Sequence, residues 1–325
     1  MTEFYLGFDI GGTKCAVVLG RYENEIMTIA DKKAFPTEVE KGYEYSVNNI
    51  FVSAKELLEK NSLKCEDIKA IGISCGGPLD SKTGRILSPP NLPSWDDVPI
   101  VAMTEKEFGI KTYLQNDANA CAVAEWKFGA AKGTENAVFL TFGTGMGAGL
   151  ILGGRLYEGT NGMAGEIGHI RMAENGPVGY GKEGSFEGFC SGGGIAQTAK
   201  SMVLDALQNG EKPSFCESVD KISTVTAKSV SEAARNGDEF AIKIYKQCGE
   251  YLGRGLSVLI DILNPEVIVI GSIYERSGDL LEKTMQKSIE REALSVSASV
   301  CKIVPAKLGD SIGDYAALAI AVNKQ

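Results

Sequence analysis

The sequence predicts an α/β protein built as two lobes. Three observations predict it. Buried-type strands alternate with helical patterns along the chain. A strand, glycine turn, strand unit around Gly11-Gly12 recurs around Gly143-Thr144-Gly145. And 325 residues with 44% hydrophobic content can fill two cores of ordinary size.

The elements follow in order. Phe4 to Phe8 alternates apolar side chains into Gly11-Gly12, and Cys15-Ala16-Val17-Val18-Leu19 resumes the apolar run, so the chain is expected to open on a hairpin. A helix is predicted over Tyr43–Lys60. Residues 68–74 read as a buried strand ending in Cys75-Gly76-Gly77-Pro78. Residues 111–115 form a short strand that delivers Asn116-Asp117 to a helix running through Ala118, Ala122 and Ala124 toward Phe128, with Asn116 or Asp117 as its N-cap. The second lobe is expected to begin there: residues 137–142 enter the Gly143-Thr144-Gly145 turn and leave through Ala148. Helices are predicted over residues 238–263, 280–290 and 312–322, and a strand over 267–270. The expected division is residues 1–116, joined by the closing helix 312–325, and residues 117–311.

Composition excludes several classes. Lys plus Arg number 33 against 42 Asp plus Glu, and a net charge of -9 offers no attraction to DNA or an anionic membrane, so neither is an expected partner. No basic region leads a long apolar run at the start and no apolar stretch could span a bilayer, so the expected location is the cytoplasm. The eight cysteines contain no C-x-x-C pair and read as reduced, mostly buried thiols.

Two turns have phosphate-binding chemistry. Asp9-Ile10-Gly11-Gly12-Thr13-Lys14 sets a carboxylate at a strand end, then two residues without Cβ, a hydroxyl and a cation. Glycines let backbone N–H groups approach phosphate oxygens. Asp9 would repel a phosphate, so its expected job is to hold a hydrated Mg²⁺ through water; the plain alternative is a hairpin turn with a capping aspartate. Thr141-Phe142-Gly143-Thr144-Gly145-Met146-Gly147 is the second candidate, and such a pair can grip the β- and γ-phosphates from opposite sides of a cleft. Here too a hairpin is the alternative. Neither turn matches G-x-x-x-x-G-K-[ST], which disfavours a P-loop enzyme.

The acceptor candidates centre on Gly165-Glu166-Ile167-Gly168-His169, because His169 is the only histidine in the chain. Alone it would read as structural. Glu166, the glycine-rich flanks and Glu187 beyond another glycine loop make a cluster of two carboxylates and an imidazole suited to sugar hydroxyls. Asn91, in Pro89-Pro90-Asn91-Leu92-Pro93, offers an amide on a proline-shaped loop or simply forms a turn. Asn116-Asp117 is a functional pair or a pair of capping residues; spacing does not choose.

Together these residues resemble the ROK family of sugar kinases and sugar-responsive repressors, of the actin-like (ribonuclease H-like) ATPase fold with two α/β lobes and an interlobe cleft. The matching segments are Asp9-Ile-Gly-Gly-Thr-Lys14, Asn116-Asp-Ala-Asn-Ala120, Thr141-Phe-Gly-Thr-Gly-Met-Gly147, Gly165-Glu-Ile-Gly-His169 and Gly184-Ser-Phe-Glu187, over most of the chain. The resemblance implies that Asp117 is the catalytic base. It implies that Asn91, Asn116, Glu166, His169 and Glu187 contact the sugar, that the glycine turns hold ATP, and that the protein is a homodimer. Two departures stand out. Where the family pattern is C-x-C-G-x-x-G-C-x-E, a zinc site, this chain has Val178-Gly-Tyr180-Gly-Lys-Glu-Gly-Ser185-Phe-Glu187, so no structural zinc is expected. The adenosine-side Gly-Gly turn is reduced to Gly271-Ser272.

The repressors carry an N-terminal helix-turn-helix domain, and a hairpin starting at Phe4 is expected to leave no room for one. The first expectation is a glucokinase-like kinase of carbohydrate metabolism that uses ATP and Mg²⁺ on a hexose or N-acetylhexosamine. The other is a sugar-sensing protein without catalysis or a DNA-binding domain.

Overall fold

The computed structural model describes residues 2–323; Met1 and residues 324–325 of the expected closing helix lie outside the described residues. Along the chain, β1 (Glu3–Ile10), β2 (Lys14–Glu23) and β3 (Ile26–Pro36) precede α1 (Tyr43–Lys60) and β4 (Ile68–Cys75). A small hairpin of β5 (Leu79–Asp80) and β6 (Arg85–Ile86) leads to α2 (Ile100–Phe108), β7 (Thr112–Asn116) and α3 (Asp117–Phe128). Next come β8 (Ala137–Phe142), β9 (Met146–Ile151), β10 (Leu156–Tyr157), β11 (Val178–Gly179), β12 (Lys182–Glu183), α4 (Phe186–Phe189), α5 (Gly192–Gln208) and α6 (Ala227–Arg235). The chain closes with α7 (Glu239–Leu263), β13 (Val267–Ile270), α8 (Ile273–Glu292), α9 (Ser295–Ala298), β14 (Lys302–Pro305) and α10 (Ile312–Asn323).

Contacts divide the chain into two compact units, one of Met1–Thr134, Gly149–Ala164 and Lys307–Gln325, the other of Glu135–Ala148 and Gly165–Ala306. In the first, the sheet order is β3-β2-β1-β4-β7, with β1 to β3 antiparallel and β4 and β7 parallel to β1. Period-two alternation sorts its side chains. Leu6, Phe8, Ile10, Ile71 and Ile73 enter a core with Val47, Ile50 and Leu57 of α1, while Tyr5, Ala16, Val18 and Ala70 pack with Leu318 and Ala321 of α10. The helix α10 lies directly on the sheet, because a Cβ on Gly72 would meet the Ala317 carbonyl oxygen at 2.0 Å.

The helix α3, expected in the second lobe, belongs to the first unit, so the boundary falls after Thr134 and not at 116. The reason is packing. Its Phe128 ring lies 6.1 Å from Tyr315 of α10, and its fully buried Glu125 accepts the Lys307 and Leu308 amides, both at 2.9 Å. Those backbone donors satisfy a carboxylate that burial would otherwise leave unsolvated.

In the second unit β13 lies parallel between β8 and β14, and all four of its residues are buried, as in a strand covered on both faces. The α7 and α8 helices pack along each other. Helix α8 begins at Ile273, earlier than the predicted start at 280, because Ser277 (φ -139°) interrupts its periodicity. Strand β3 and helices α2, α5 and α6 were not anticipated.

Candidate functional site

In the first unit Ile10, Cys75 and Asn116 are in register across β1, β4 and β7, so the residues around those strand ends gather at one edge of the sheet. Asp9 is half-buried there. Burial raises its pKa to about 6, the Asp314 and Asp117 charges add to the rise, and Lys14 and Lys32 oppose it. Lys32 Nζ is paired with the buried Asp314 at 2.6 Å. The Gly11 amide donates to the Lys14 carbonyl at 3.1 Å, so this N–H serves the turn itself. Gly12 is glycine for packing: a Cβ would lie 2.3 Å from the Asn91 carbonyl oxygen. Thr13 and Lys14 are exposed, and the exposed Asn91 side chain lies over Gly76.

The choice between Asn116 and Asp117 as cap is decided by backbone and side chain together. Asn116 is extended (φ -61°, ψ 145°) and its Oδ1 accepts the Ala118 N–H at 3.0 Å, which makes it the N-cap and leaves Asp117 as the first helical residue. Asp117 Oδ1 shares that Ala118 donor at 2.8 Å while the side chain stays accessible. Desolvation by the surrounding protein raises its pKa, and the Ala118 amide, its own amide and Asn116 pull the other way. Behind this corner Gln115 Oε1 takes the Asn116 amide (2.8 Å), and its Nε2 donates to Glu158 (2.8 Å), which also receives the Ser81 hydroxyl (2.9 Å). Nothing local in the sequence marks Gln115 or Glu158 as supports for this corner.

In the second unit the Thr141 hydroxyl accepts the Gly147 N–H at 2.8 Å and is taken up by its own hairpin, whereas Thr144 is exposed at the tip. Glu187 Oε2 accepts the Met146 N–H at 2.9 Å, and a Cβ on Gly145 would lie 2.7 Å from the same oxygen. Glu187 therefore braces the second glycine turn. Ser185 positions it by accepting the Gly188 N–H (3.1 Å) at the start of α4. Glu166 and His169 are exposed at either end of a one-turn 3₁₀ segment, with the His169 amide on the Glu166 carbonyl at 3.2 Å. The intervening Gly168 presses on the Met146 carbonyl, which a Cβ would approach to 2.1 Å. Gly271 follows β13 with its amide on the Leu140 carbonyl at 3.0 Å.

A cavity of about 660 Å³ opens beside this turn within the second unit. Gly143 and Thr144 line it together with Gly192 and Gly193 at the start of the 17-residue α5, and Ser272, Arg276 and Arg235 line it farther on. The first amides of α5 are taken up within the protein, Gly192 N–H by the Gly143 carbonyl at 2.8 Å and Gly194 N–H by the Ser191 hydroxyl at 3.0 Å, so the helix start is tied to the second glycine turn. Sequence reasoning missed Gly192, Gly193, Arg235 and Arg276; Ser191-Gly-Gly-Gly194 was the available signal, a cap followed by residues that allow close approach.

Ser272 occupies a backbone conformation (φ 61°, ψ -104°) that a side chain adopts only under strain, while its Oγ accepts from Arg276 at 3.1 Å. Ser272→Gly is therefore expected to stabilise the protein by about 1 kcal/mol, a Tm rise of a few degrees. A lower Tm by thermal unfolding would show that the Arg276 contact outweighs the strain.

Residues 5–324 match the ROK family. The chain belongs to that family. Among curated relatives, the glucokinase of Halalkalibacterium halodurans is 33% identical over 313 residues, covering 96% of this chain and 92% of the relative. A putative xylose repressor of Caldicellulosiruptor is 27% identical over 306 residues, 94% of this chain and 74% of the relative. The solved ROK glucokinase of Streptomyces griseus, in complex with glucose and AMPPNP, aligns with a TM-score of 0.75 at 29% identity, covering 98% of this chain and 99% of that one. The fold is the actin-like α/β ATPase fold.

The ROK zinc pattern does not fit the residues present here. Val178 has no ligating atom, and the buried Ser185 hydroxyl is engaged by the Gly188 amide and the Gly179 carbonyl. Among the described residues no three His, Cys, Asp or Glu side chains converge as a metal requires. The segment is instead tied by backbone bonds, Phe186 N–H to Ile170 O at 2.8 Å and Gly184 N–H to Pro177 O at 3.0 Å. Protein purified without chelator should carry substoichiometric zinc by elemental analysis, and EDTA-treated protein should regain activity with Mg²⁺ alone. One zinc per chain would overturn this.

Proposed function

We propose that the protein is an ATP-dependent sugar kinase that transfers the γ-phosphate of ATP to a hydroxyl of a hexose or N-acetylhexosamine. The observation that carries this reading is the Asn116-Asp117 corner. Asn116 takes the capping role, so Asp117 is held by the helix start yet keeps an accessible carboxylate. The similarity to glucokinases supports it.

In this reading Asp117 takes the proton of the attacking hydroxyl as a bond forms from that oxygen to the γ-phosphorus and the bond from that phosphorus to the ADP oxygen breaks. Asn91, Asn116, Glu166, His169 and Glu187 hold the sugar. Asp9, Gly11, Gly12, Thr13 and Lys14, with Thr141, Gly143, Thr144, Gly145 and Gly271, serve the nucleotide, several of them by shaping the turns. Mg²⁺ arriving with ATP would be held through water by Asp9 and would offset phosphate charge. A cytoplasmic location and a homodimer belong to the same proposal. No helix among the described residues is long and apolar enough to cross a membrane.

A second reading, a sugar-sensing protein without catalysis, draws on the similarity to a repressor. Coupled ADP release across glucose, fructose, mannose, allose, N-acetylglucosamine and N-acetylmannosamine separates the two. ADP release that depends on one of these sugars supports the kinase; sugar binding without ADP release supports the sensor.

A further inference from the structure

We propose that Tyr180 is a positioning residue that sets the orientation of the His169 imidazole. Strands β11 and β12 pair through Gly179 and Lys182, so Tyr180-Gly181 is a two-residue hairpin loop. Both residues are left-handed, with φ of 43° and 74°. A loop of this kind favours Asn-Gly or Asp-Gly, whose first residue tolerates positive φ. Gly181 satisfies the rule, whereas a tyrosine at the first position is strained. Nor does its ring serve the core: at 77% exposure it is the most exposed large apolar side chain among the described residues.

What the ring does contact is His169, edge-on at 6.5 Å between centroids and 77° between planes. The same hairpin grips the His169 main chain, because Lys182 Nζ donates to the His169 carbonyl at 2.7 Å. The His169 amide is already on Glu166. With the backbone held at both ends, the ring torsions are the freedom left to His169, and the edge of Tyr180 limits them. A residue that is unfavourable for its turn, and almost bare to solvent, is thus explained by the side chain it restrains. The consequence for sugar binding rests on the reading that His169 contacts the acceptor.

Because His169 is the only histidine, its imidazole NMR signals report a single site. Tyr180→Asn suits the turn but removes the ring; Tyr180→Phe keeps the ring. The Asn variant should move the His169 ring resonances and raise the KM for the acceptor sugar roughly 2- to 12-fold, the range an aromatic pair supplies, with the KM for ATP unchanged. Its Tm should be equal or higher, and the Phe variant should match the wild type in every readout. Unmoved His169 resonances in the Asn variant, or a Phe variant as impaired as the Asn variant, would overturn the proposal. If the wild type releases no ADP with any sugar, the kinase reading fails, while the His169 resonances still decide the role of Tyr180.

Discussion

Asp117→Asn is expected to lower kcat roughly 10²- to 10⁴-fold, the usual contribution of a general base, while the KM values for sugar and ATP change little. The substitution keeps shape and an acceptor oxygen, and Asn116 keeps the cap, so α3 should start where it does now. What is lost is the only change intended, a carboxylate that can take a proton. In the wild type, desolvation holds the Asp117 pKa above the ordinary carboxylate value. That makes it a better base than a surface aspartate and predicts that turnover falls as pH drops through that raised pKa. A steady-state pH profile of both proteins checks this. Near wild-type turnover in the Asn variant would remove Asp117 from the mechanism.

Asp9→Asn should weaken the protein's use of Mg²⁺-ATP about 10- to 100-fold, as loss of an outer carboxylate at a metal commonly does. It should also stabilise the unliganded protein at alkaline pH. The sign follows from the direction of the shift. Asp9 titrates at about 6 in the folded protein against 3.8 ordinarily, so the folded state binds its proton more tightly than the unfolded chain does. The ionised carboxylate therefore destabilises the fold, by an amount that grows as pH rises from about 4 to about 6 and is full above that, to about 2–3 kcal/mol. Removing the charge should raise Tm at pH 8 by several degrees and have little effect near pH 4. Thermal unfolding at the two pH values, without nucleotide, is the measurement. An equal fall in Tm at both would mean that Asp9 supports the fold.

Much of the fold was legible because short-range periodicity encodes it. The alternation of Leu6, Phe8 and Ile10 against Tyr5 marks a two-faced strand, the helix over Tyr43–Lys60 runs as read, and Val267–Ile270 announces a fully covered strand. The helix α5 was illegible for the opposite reason. It opens on three glycines, poor helix formers, and they are there because a side chain on Gly194 would strike the Gly188 carbonyl, 1.8 Å away. Strand β3 hid its alternation under a mostly half-exposed face of Lys and Asp.

The candidate site divides in the same way. Residue types and local spacing were enough to raise Asp9, Asn116-Asp117, the two glycine turns, Glu166, His169 and Glu187 as candidates. For Asn116-Asp117 and the glycine turns they left capping and hairpin roles open, and only the joint resemblance to a family favoured the functional ones. Which of Asn116 and Asp117 caps the helix depended on a backbone torsion. That Glu187 braces Met146, that Lys32 meets Asp314 and that Tyr180 meets His169 depended on where distant segments of chain come to rest. Such contacts leave no periodic trace, since their partners are joined by folding and not by spacing along the chain. Only the tertiary structure could therefore decide them.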